Sequence, residues 1–448
     1  MITKPLIKFN LIILTGLLVS SNLAAQITWA KHPTPVVSRS AVFPDWKALA
    51  AGDACVIKDN DTLKMWYAGV GWQTASDPCP RVRIGYAWSL NGIIWNEYPG
   101  NPILNVSSDT SKFDSDGVET PTVIKDLSAP ANQRYKLWYA GRKAKCIPVN
   151  DHKFGYAYSP DGINWTKYSG NPVLVPGNNS SWFNTFISSP SVVLDGGIYK
   201  MWFTAPDLVF NSQPTDGKSN IGYATSTDGI NWTVHPAAVL IAGEQMNWDS
   251  ASIAEPCVEK IGNTFHVFYS ALDQWTIENF QVGYATSSDG INWLKSTQNP
   301  ILQIGTADQW DRYWASHPAT IYDGITNKFR MWYTGRDTAT ITSLSGYYWD
   351  IGYAESMLIT AITENNETEN LLAIYPNPAR NYLTLRLSAF SKNAEIKIYN
   401  SFGQLENIIS NINGEIVEIN TEKLQNGVYF LAINDGEKLL NKKFIINK

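Results

Sequence analysis

The chain has little of what several common protein classes require. It has 4 cysteines and 5 histidines in 448 residues, and no Cys/His spacing in it is typical of a zinc site. A formal net charge of −5 gives no reason to expect a nucleic acid or an anionic membrane as a partner. After the N-terminal segment, no apolar run approaches the length of a transmembrane helix. The sequence therefore argues against a zinc protein, a nucleic-acid-binding protein and an inserted membrane protein.

The N-terminal segment is the one place where apolar residues cluster. "MITKPLIKFNLIILTGLLVSSNLAAQ" combines a basic start, a short apolar core and small residues at Ala24 and Ala25. This pattern is typical of an export signal that is removed from the mature protein, and its apolar core is too short to span a bilayer. It predicts a signal peptide over residues 1–25 and a soluble, exported chain in which disulfides are permitted.

Aromatic residues, in contrast, are abundant. They make up 12% of the chain and include 18 tryptophans. Chains rich in tryptophan often pack all-β cores or stack on sugars. Together with an apolar content of 44%, this composition excludes a disordered polymer.

Two aromatic elements recur along the chain. One appears as "IGYAWSLNGIIW" from Ile84, "FGYAYSPDGINW" from Phe154, "IGYATSTDGINW" from Ile221, "VGYATSSDGINW" from Val282 and a truncated "IGYAES" from Ile351. The other precedes it each time, as "MWYAG" from Met65, "LWYAG" from Leu137, "MWFTA" from Met201, "VFYSA" from Val267 and "MWYTG" from Met331. Both are short alternating runs bounded by turn residues, which predicts β-strands joined by tight hairpins.

A third element completes each unit. It places a residue seven positions after an aromatic one, followed by Pro or Ala, a small residue and Val or Thr. The aromatic and the residue that follows it are Trp46 and Asp53, Phe113 and Thr120, Trp182 and Ser189, Trp248 and Glu255, and Trp310 and His317. We call the second member of each pair a ring position, because the constant spacing predicts that the five are equivalent in the fold.

Five units of four short strands each predict an all-β chain with a five-bladed β-propeller over residues 26–356. The fifth unit lacks its last strand, since nothing like "DGINW" follows "IGYAES". The segment "ITWAKHPTPVV" from Ile27 resembles "INWTKYSGNPVL" from Ile163, so we expect an N-terminal strand to close the fifth blade. Closure in this way would remove an open sheet edge.

The ring positions should converge on the axis, because the first strand of each propeller blade lines it. They would open onto the face that also carries the long loops between the second and third strands. Those loops differ between units, and variable loops on a repeated scaffold usually carry function. Together with His317, the predicted substrate-binding residues there are Trp72, Arg142, Asp207, Trp275, Arg336 and Trp349.

Two ring positions are carboxylates, which suits glycosidic-bond cleavage. That reaction needs one carboxylic acid to protonate the leaving oxygen and a second carboxylate to activate water or attack the sugar. We expect burial before Pro256 to raise the pKa of Glu255, as a general acid requires, with Asp53 as the base or nucleophile. The alternative is that both are polar residues that hydrate the channel of a non-enzymatic propeller.

The Asp of unit one, the Glu-Pro of unit four and the His of unit five resemble the five-bladed glycoside hydrolases of family 43, over about residues 27–356. The fructan-active family 32 and the mannoside phosphorylases of family 130 share that scaffold. The resemblance implies that Asp53 is the general base and Glu255 the general acid. It also implies that His317 lies near the axis, where Ca²⁺ or Na⁺ often binds, and that no other cofactor is required.

The sequence departs from family 43 at a third carboxylate, an Asp that tunes the acid. The resemblance places that Asp at the position of Ser189. The acidic residues available to replace it are Asp207, Asp116 and Glu119.

Three other functions stay open at this point. A non-catalytic glycan-binding propeller would keep the tryptophan platforms without the third carboxylate. A glycoside phosphorylase would use Arg142 and Arg336 to hold phosphate. A sialidase-like enzyme is disfavoured, because the Asp box of sialidases has one more residue between Asp and Gly and their propellers have six blades with an arginine triad.

The remaining cysteines and the C-terminal segment give further predictions. Cys79 and Cys146 lie in corresponding loops of neighbouring units and are candidates for a disulfide. The polar stretch 357–370 predicts a linker, and the alternating strands of residues 371–448 predict a small β-sandwich.

The C-terminal domain resembles the sorting domain of the type IX secretion system of Bacteroidetes-type bacteria. The resemblance rests on "YPNPARNYLTL", "IYNSFGQ", "NGVYFL" and "KKFIIN". It implies export through the outer membrane by the type IX machinery, with the protein released or held at the cell surface. The sequence thus predicts a secreted monomer that acts on a polysaccharide or oligosaccharide.

Overall fold

The computed structural model describes residues 27–448 except for short gaps. The gaps are at 73, 77–78, 144–150, 179, 207–208, 211–212, 215–217, 275–278, 325, 327, 338–347, 359–371, 388–393, 401–404, 413, 415 and 435–438. Within the described ranges the chain is all-β, and its one helix is a 3₁₀ turn at Ala131–Gln133. This confirms the predicted all-β class. Nothing helical in these ranges has the length and apolar character that a bilayer crossing requires.

The strands up to residue 358 form five groups, preceded by β1 (Ile27–Lys31). Group one is β2 (Ala50–Asp59), β3 (Thr62–Gly71), β4 (Arg81–Ser89) and β5 (Asn96–Glu97). Group two is β6 (Gly117–Lys125), β7 (Tyr135–Arg142), β8 (Lys153–Ser159) and β9 (Thr166–Lys167). Group three is β10 (Ser188–Asp195), β11 (Ile198–Pro206), β12 (Val209–Phe210), β13 (Gln213–Pro214), β14 (Ser219–Ser226) and β15 (Thr233–Val234).

Group four is β16 (Ser252–Ile261), β17 (Thr264–Leu272), β18 (Gln281–Ser287) and β19 (Leu294–Lys295). Group five is β20 (Trp314–Asp323), β21 (Lys328–Arg336) and β22 (Trp349–Leu358). Consecutive strands within each group pair antiparallel, except that β12 and β13 form a separate hairpin between β11 and β14. The backbones of groups one and five pair in parallel at one position, Ala50 with Trp349.

The N-terminal strand β1 lies beside β22. Its five residues pair antiparallel with β22, from Ile27 opposite Leu358 to Lys31 opposite Ala354. Lys31 places its Nζ 2.6 Å from Asp311 Oδ2. Similar lysine–aspartate pairs join β9 and β19 to the segments that precede β6 and β16 of their own groups, at 2.5 Å for Lys167 with Asp114 and 2.6 Å for Lys295 with Asp249. Strand β1 therefore makes the contact that the fourth strand makes in two other groups.

Four glycine turns connect the last two strands of groups one to four, which are β4 and β5, β8 and β9, β14 and β15, and β18 and β19. Their glycines have φ between 76° and 84°, a left-handed backbone that glycine adopts without steric cost. In each turn a serine Oγ accepts the glycine N–H, and a tryptophan of another group donates its Nε1–H to the glycine carbonyl at 2.7–2.8 Å. A Cβ on these glycines would meet that tryptophan at 2.7–2.8 Å. We call these four the Gly turns: Gly92, Gly162, Gly229 and Gly290.

The C-terminal segment consists of two further sheets. Its strands are β23 (Leu372–Tyr375), β24 (Tyr382–Leu387), β25 (Ala394–Asn400), β26 (Leu405–Ile412), β27 (Ile416–Asn420), β28 (Gly427–Asn434) and β29 (Leu439–Ile446). Strands β23, β24 and β27 form one sheet, and β26, β25, β28 and β29 form the other. Buried apolar residues of both sheets, such as Leu385 and Ile398, share one cluster, which makes this segment a small sandwich.

The predicted disulfide and linker fall partly outside the described ranges. Cys79 is disulfide-bonded, whereas Cys55 and Cys257 are free. Cys146, the predicted partner of Cys79, lies outside the described residues, as does nearly all of the predicted linker at 357–370.

Candidate active site

Five strands carry the same backbone irregularity near their start. Strands β2, β6, β10, β16 and β20 each shift register against their partner strand, and at each shift one residue has φ between 44° and 58°. These residues are Asp53, Thr120, Ser189, Glu255 and His317, the five ring positions. A left-handed backbone costs a residue other than glycine about 1–2 kcal/mol, so the bulge must be held by its surroundings. All five line one cavity, so the structure brings the ring positions together.

His317 lies between the two ring carboxylates. Its Nε2 is 3.4 Å from Asp53 Oδ1, and its Nδ1 is 3.0 Å from Glu255 Oε2. The backbone N–H of His317 also donates to Glu255 Oε2 at 3.0 Å. Burial would lower the pKa of His317, but the facing charges of Asp53 and Glu255 raise it to about 9. The imidazole is therefore a cation at neutral pH and neutralises the two carboxylates beside it.

The two carboxylates differ in pKa, in the opposite sense to the sequence-based expectation. Burial would raise the pKa of Glu255, but the charge of His317 and hydrogen bonds from His317 and Ser270 lower it. The expected rise was therefore wrong, because it considered burial without the cation that accompanies it. Burial raises the pKa of Asp53 to about 6 despite His317, and the charges of Glu119 and Glu255 add to the rise. Asp53 is the carboxyl group suited to hold a proton near neutral pH.

Glu119 is a third carboxylate at the same site. It directly precedes Thr120, and its charge influences both Asp53 and His317. Its Oε1 lies 2.6 Å from His152 Nε2 and 3.5 Å from Arg142 Nε. Burial would raise the pKa of Glu119, but these two groups lower it to about 2. The site therefore holds one protonatable carboxyl group and two carboxylates that stay ionised.

Glu119 and His152 were absent from the predicted site residues, although a signal for Glu119 was present. The residues that directly precede the other ring positions are Gly52, Ser188, Ala254 and Ser316. The other four units have a small residue at this position, so the glutamate of unit two departs from the repeat pattern. His152 carries no comparable signal, because it lies next to a loop that differs between units.

The two predicted arginines end equivalent strands, β7 and β21, and both are buried. Arg142 contacts Glu119, as described above, and its Nη2 lies 3.8 Å from Asp116 Oδ2. Asp116 therefore contacts Arg142 and lies outside the cavity lining. The guanidinium of Arg336 stacks 4.0 Å from the ring centroid of Trp314.

The described tryptophans predicted to bind substrate are half-buried. Trp349 packs on Trp314 with ring centroids 5.3 Å apart, and Trp72 packs edge-on against Phe43 at 5.2 Å. Trp72 and Trp349 border the same apolar cluster, which includes Leu49. Their part in sugar stacking stays a prediction. Asp207 and Trp275, the other two predicted ligands, lie outside the described residues.

The described residues contain no cluster of three or more His, Cys, Asp or Glu side chains arranged to hold a metal ion. Each ring nitrogen of His317 faces a carboxylate, and a protonated imidazole repels a cation. This geometry does not suit a Ca²⁺ or Na⁺ ion bound directly to His317.

The C-terminal segment can be assigned by comparison with known families. Residues 373–447 match the secretion system C-terminal sorting domain. The tail is a type IX sorting domain. Such a domain indicates export through the outer membrane, either to the cell surface or into the medium.

The remainder of the chain is similar to two groups of known proteins. It is 28% identical over 239 residues to an uncharacterised protein of Mycobacterium tuberculosis, a match that covers 53% of this chain and 73% of that protein. It is 25% identical over 134 residues to a β-1,2-mannobiose phosphorylase of Thermoanaerobacter sp., covering 29% of this chain and 44% of the phosphorylase.

Solved structures extend the similarity to the fold. The β-1,2-mannobiose phosphorylase of Listeria innocua aligns with a TM-score of 0.55 and 14% identity, over 76% of this chain and 99% of that one. The chain thus shares the propeller-type fold of glycoside hydrolases and phosphorylases.

Proposed function

We propose that this chain is an exported carbohydrate-active enzyme that cleaves glycosidic bonds at the ring positions, with Asp53 as the proton donor and Glu255 as its ionised partner. The observation that supports it best is that one cavity is lined by Asp53, whose pKa is about 6, and by Glu255, whose pKa is lowered, with His317 between them. Environments that drive the pKa values of neighbouring carboxyl groups apart are how glycosidases divide their acid and base roles.

These roles are reversed with respect to those implied by the family 43 resemblance. Asp53 would donate its proton to the glycosidic oxygen as the bond to the anomeric carbon breaks. Glu255, kept ionised by His317, would stabilise the positive charge that develops on the sugar ring, and a water molecule would then bond to the anomeric carbon while Glu255 takes up the proton that this water loses. Glu119 would contribute in the same way, and its presence compensates for the serine at position 189.

We propose that the fold that carries this site is a five-bladed propeller over residues 26–356. Five groups of strands, five equivalent bulges and the pairing of β1 with β22 support it. Each group would be one blade, and β1 would complete the fifth.

A phosphorylase is the second candidate. Two similar proteins are named β-1,2-mannobiose phosphorylases, and this chain places the buried Arg142 beside Glu119 at the site. In this case inorganic phosphate, rather than water, would accept the glycosyl group. β-1,2-linked mannosides are accordingly the first substrates to test, followed by arabinans, xylans and fructans.

The test is sugar release by the full chain with and without phosphate, beside Asp53→Asn, Glu255→Gln and the control Asp195→Asn. Asp195 is a carboxylate that pairs with Lys200 and Lys260 and lies outside the cavity lining. We expect both site variants to lose about 10²–10⁴-fold in kcat/KM, and the control to keep its activity. Phosphate dependence would identify a phosphorylase.

Aryl glycosides separate the two roles. A dinitrophenyl leaving group needs no proton, so Asp53→Asn should recover much of its rate on that substrate whereas Glu255→Gln should not. Recovery in Glu255→Gln alone would restore the roles of the family 43 resemblance. Glycan binding without turnover on any substrate would instead identify a non-catalytic propeller.

A further inference from the structure

Three buried hydroxyl groups hold the backbone of the three titratable ring positions. Thr204 on β11 accepts the N–H of Glu255 at 2.7 Å. Ser270 on β17 accepts the N–H of His317 at 2.9 Å, and Thr334 on β21 accepts the N–H of Asp53 at 3.0 Å. In each case the hydroxyl comes from the second strand of one group and the N–H from the first strand of the next.

The other two groups lack this hydroxyl. At the same position β3 has Ala68 and β7 has Ala140. The ring positions that follow them are Thr120 and Ser189, which do not titrate. A hydroxyl on the second strand of the preceding group therefore occurs at every ring position that can carry a charge and at neither of the other two, where the N–H of Ser189 is instead accepted by Thr120 Oγ1 on a first strand at 3.2 Å.

We propose that Thr204, Ser270 and Thr334 are positioning residues, which orient Glu255, His317 and Asp53 for the reaction by fixing the left-handed backbone of each. This inference rests on the function proposed above. At a bulge the direction of the side chain follows the backbone dihedrals, so a hydrogen bond to the backbone N–H fixes where the carboxylate or imidazole lies. Misplacement of a catalytic group by about 1 Å can cost about 10²-fold in rate.

Two details support a role beyond simple packing. Ser270 also hydrogen-bonds the carboxylate of Glu255, so one hydroxyl joins the backbone of His317 to the side chain of Glu255. Gly52, which directly precedes Asp53, leaves room for Thr334, because a Cβ there would lie 3.0 Å from Thr334 Oγ1.

The chain offers a control away from the cavity. Ser226 Oγ accepts the N–H of Gly229 at 2.9 Å in one of the Gly turns. Ser226 is also a buried serine whose hydroxyl accepts a backbone N–H, but it lies outside the cavity lining.

The test compares Ser270→Ala and Thr334→Val with the control Ser226→Ala in the full chain. We expect the two site variants to lose roughly 10- to 100-fold in kcat with KM within about twofold, and the control to keep the wild-type kcat. Ser270→Thr and Thr334→Ser, which restore the hydroxyl, should recover most of the loss. Equal losses in site and control variants would overturn the proposal.

A second measurement does not depend on turnover. The pKa of His317, followed by NMR of the histidine side chains, reports how closely Asp53, Glu255 and Glu119 face it. Ser270→Ala should move the pKa of His317 toward the ordinary histidine value, and Ser226→Ala should leave it unchanged. An inactive wild type that shows this shift would disprove the proposed enzyme and retain the positioning role. No shift, together with unchanged kcat, would disprove the positioning role.

Discussion

The ring positions and the Gly turns are both repeated backbone features, but their side chains differ in one respect. At the Gly turns, the same side chains recur: a serine that caps the glycine, an Asp or Asn that accepts two backbone N–H groups, and a tryptophan that donates to the glycine carbonyl. At the ring positions an equally constant backbone carries five different side chains. The turns pair their polar groups in the same way each time, whereas the ring positions bring charged side chains together at one cavity.

This difference separates structure from chemistry within one scaffold. Where both backbone and side chain repeat, the residue serves the fold, and its change should alter stability without altering the reaction. Where the backbone repeats and the side chain varies, the residue is free to serve a site. The following predictions test that separation.

The largest effect on stability is expected at His317. His317→Leu removes the cation between two largely buried carboxylates, and we expect a loss of about 3–5 kcal/mol in the free energy of unfolding, measured in urea at pH 7.5. The matched control is His266→Leu. Burial lowers the pKa of His266 to about 4, so the control removes a neutral imidazole that contacts Tyr284.

The pH dependence distinguishes the two histidine variants. The loss in His317→Leu should shrink at pH 10, because the wild-type imidazole then gives up its proton and no longer offsets the carboxylates. The loss in His266→Leu should be the same at pH 7.5 and pH 10, because that imidazole is neutral at both. Equal behaviour of the two variants would mean that His317 does not serve as the counter-ion of the ring.

At the Gly turns, Gly229→Ala should destabilise without harming the site. Its φ is 76°, and a Cβ would meet Trp138 at 2.8 Å. We expect a loss of about 3 kcal/mol, made up of the left-handed backbone and the clash. Gly262→Ala is the control, since its φ of 58° is similar and nothing lies within 4 Å of the added Cβ, so it should lose only about 1–2 kcal/mol. Activity per folded molecule should be unchanged in both, and a specific loss in Gly229→Ala would contradict the separation.

The pH profile of the wild type tests the ring directly. If protonated Asp53 is the acid, kcat/KM should fall about tenfold per pH unit above pH 6. Stability should follow His317 over a higher range: its folded pKa is raised, so its contribution is complete below about 6.5 and is lost as pH rises through 9. If kcat/KM fell only near pH 9, together with stability, the group whose titration controls the rate would be His317 rather than Asp53.

Much of the architecture could be predicted because the signals are local and repeated. Aromatic spacing and turn glycines identified the strands, and a constant interval of seven residues identified all five ring positions without any three-dimensional information. The sorting domain was recognisable for the same reason, since its motifs are continuous in sequence. The all-β class and the sorting domain are confirmed.

The electrostatics of the site could not be predicted in this way. The pKa of Glu255 depends on His317, which lies 62 residues away and approaches only through the bulge on the next group. Glu119 likewise acquires its lowered pKa from His152, which directly precedes β8, and from Arg142 at the end of β7. Spacing along the chain shows which residues are equivalent, but not which charges meet, because that depends on contacts between groups.

The smallest effect concerns the strand that comes from the N terminus. Lys31 on β1 and Lys295 on β19 each pair at 2.6 Å with a buried aspartate, Asp311 and Asp249. If β1 is a true fourth strand of its group, Lys31→Ala and Lys295→Ala should each lose about 0.5–1 kcal/mol in the free energy of unfolding, because the lysines are partly exposed and screened. Activity should not change. A loss in Lys295→Ala with none in Lys31→Ala would mean that β1 adds nothing to the stability of group five, and that closure of the fifth blade depends on other contacts.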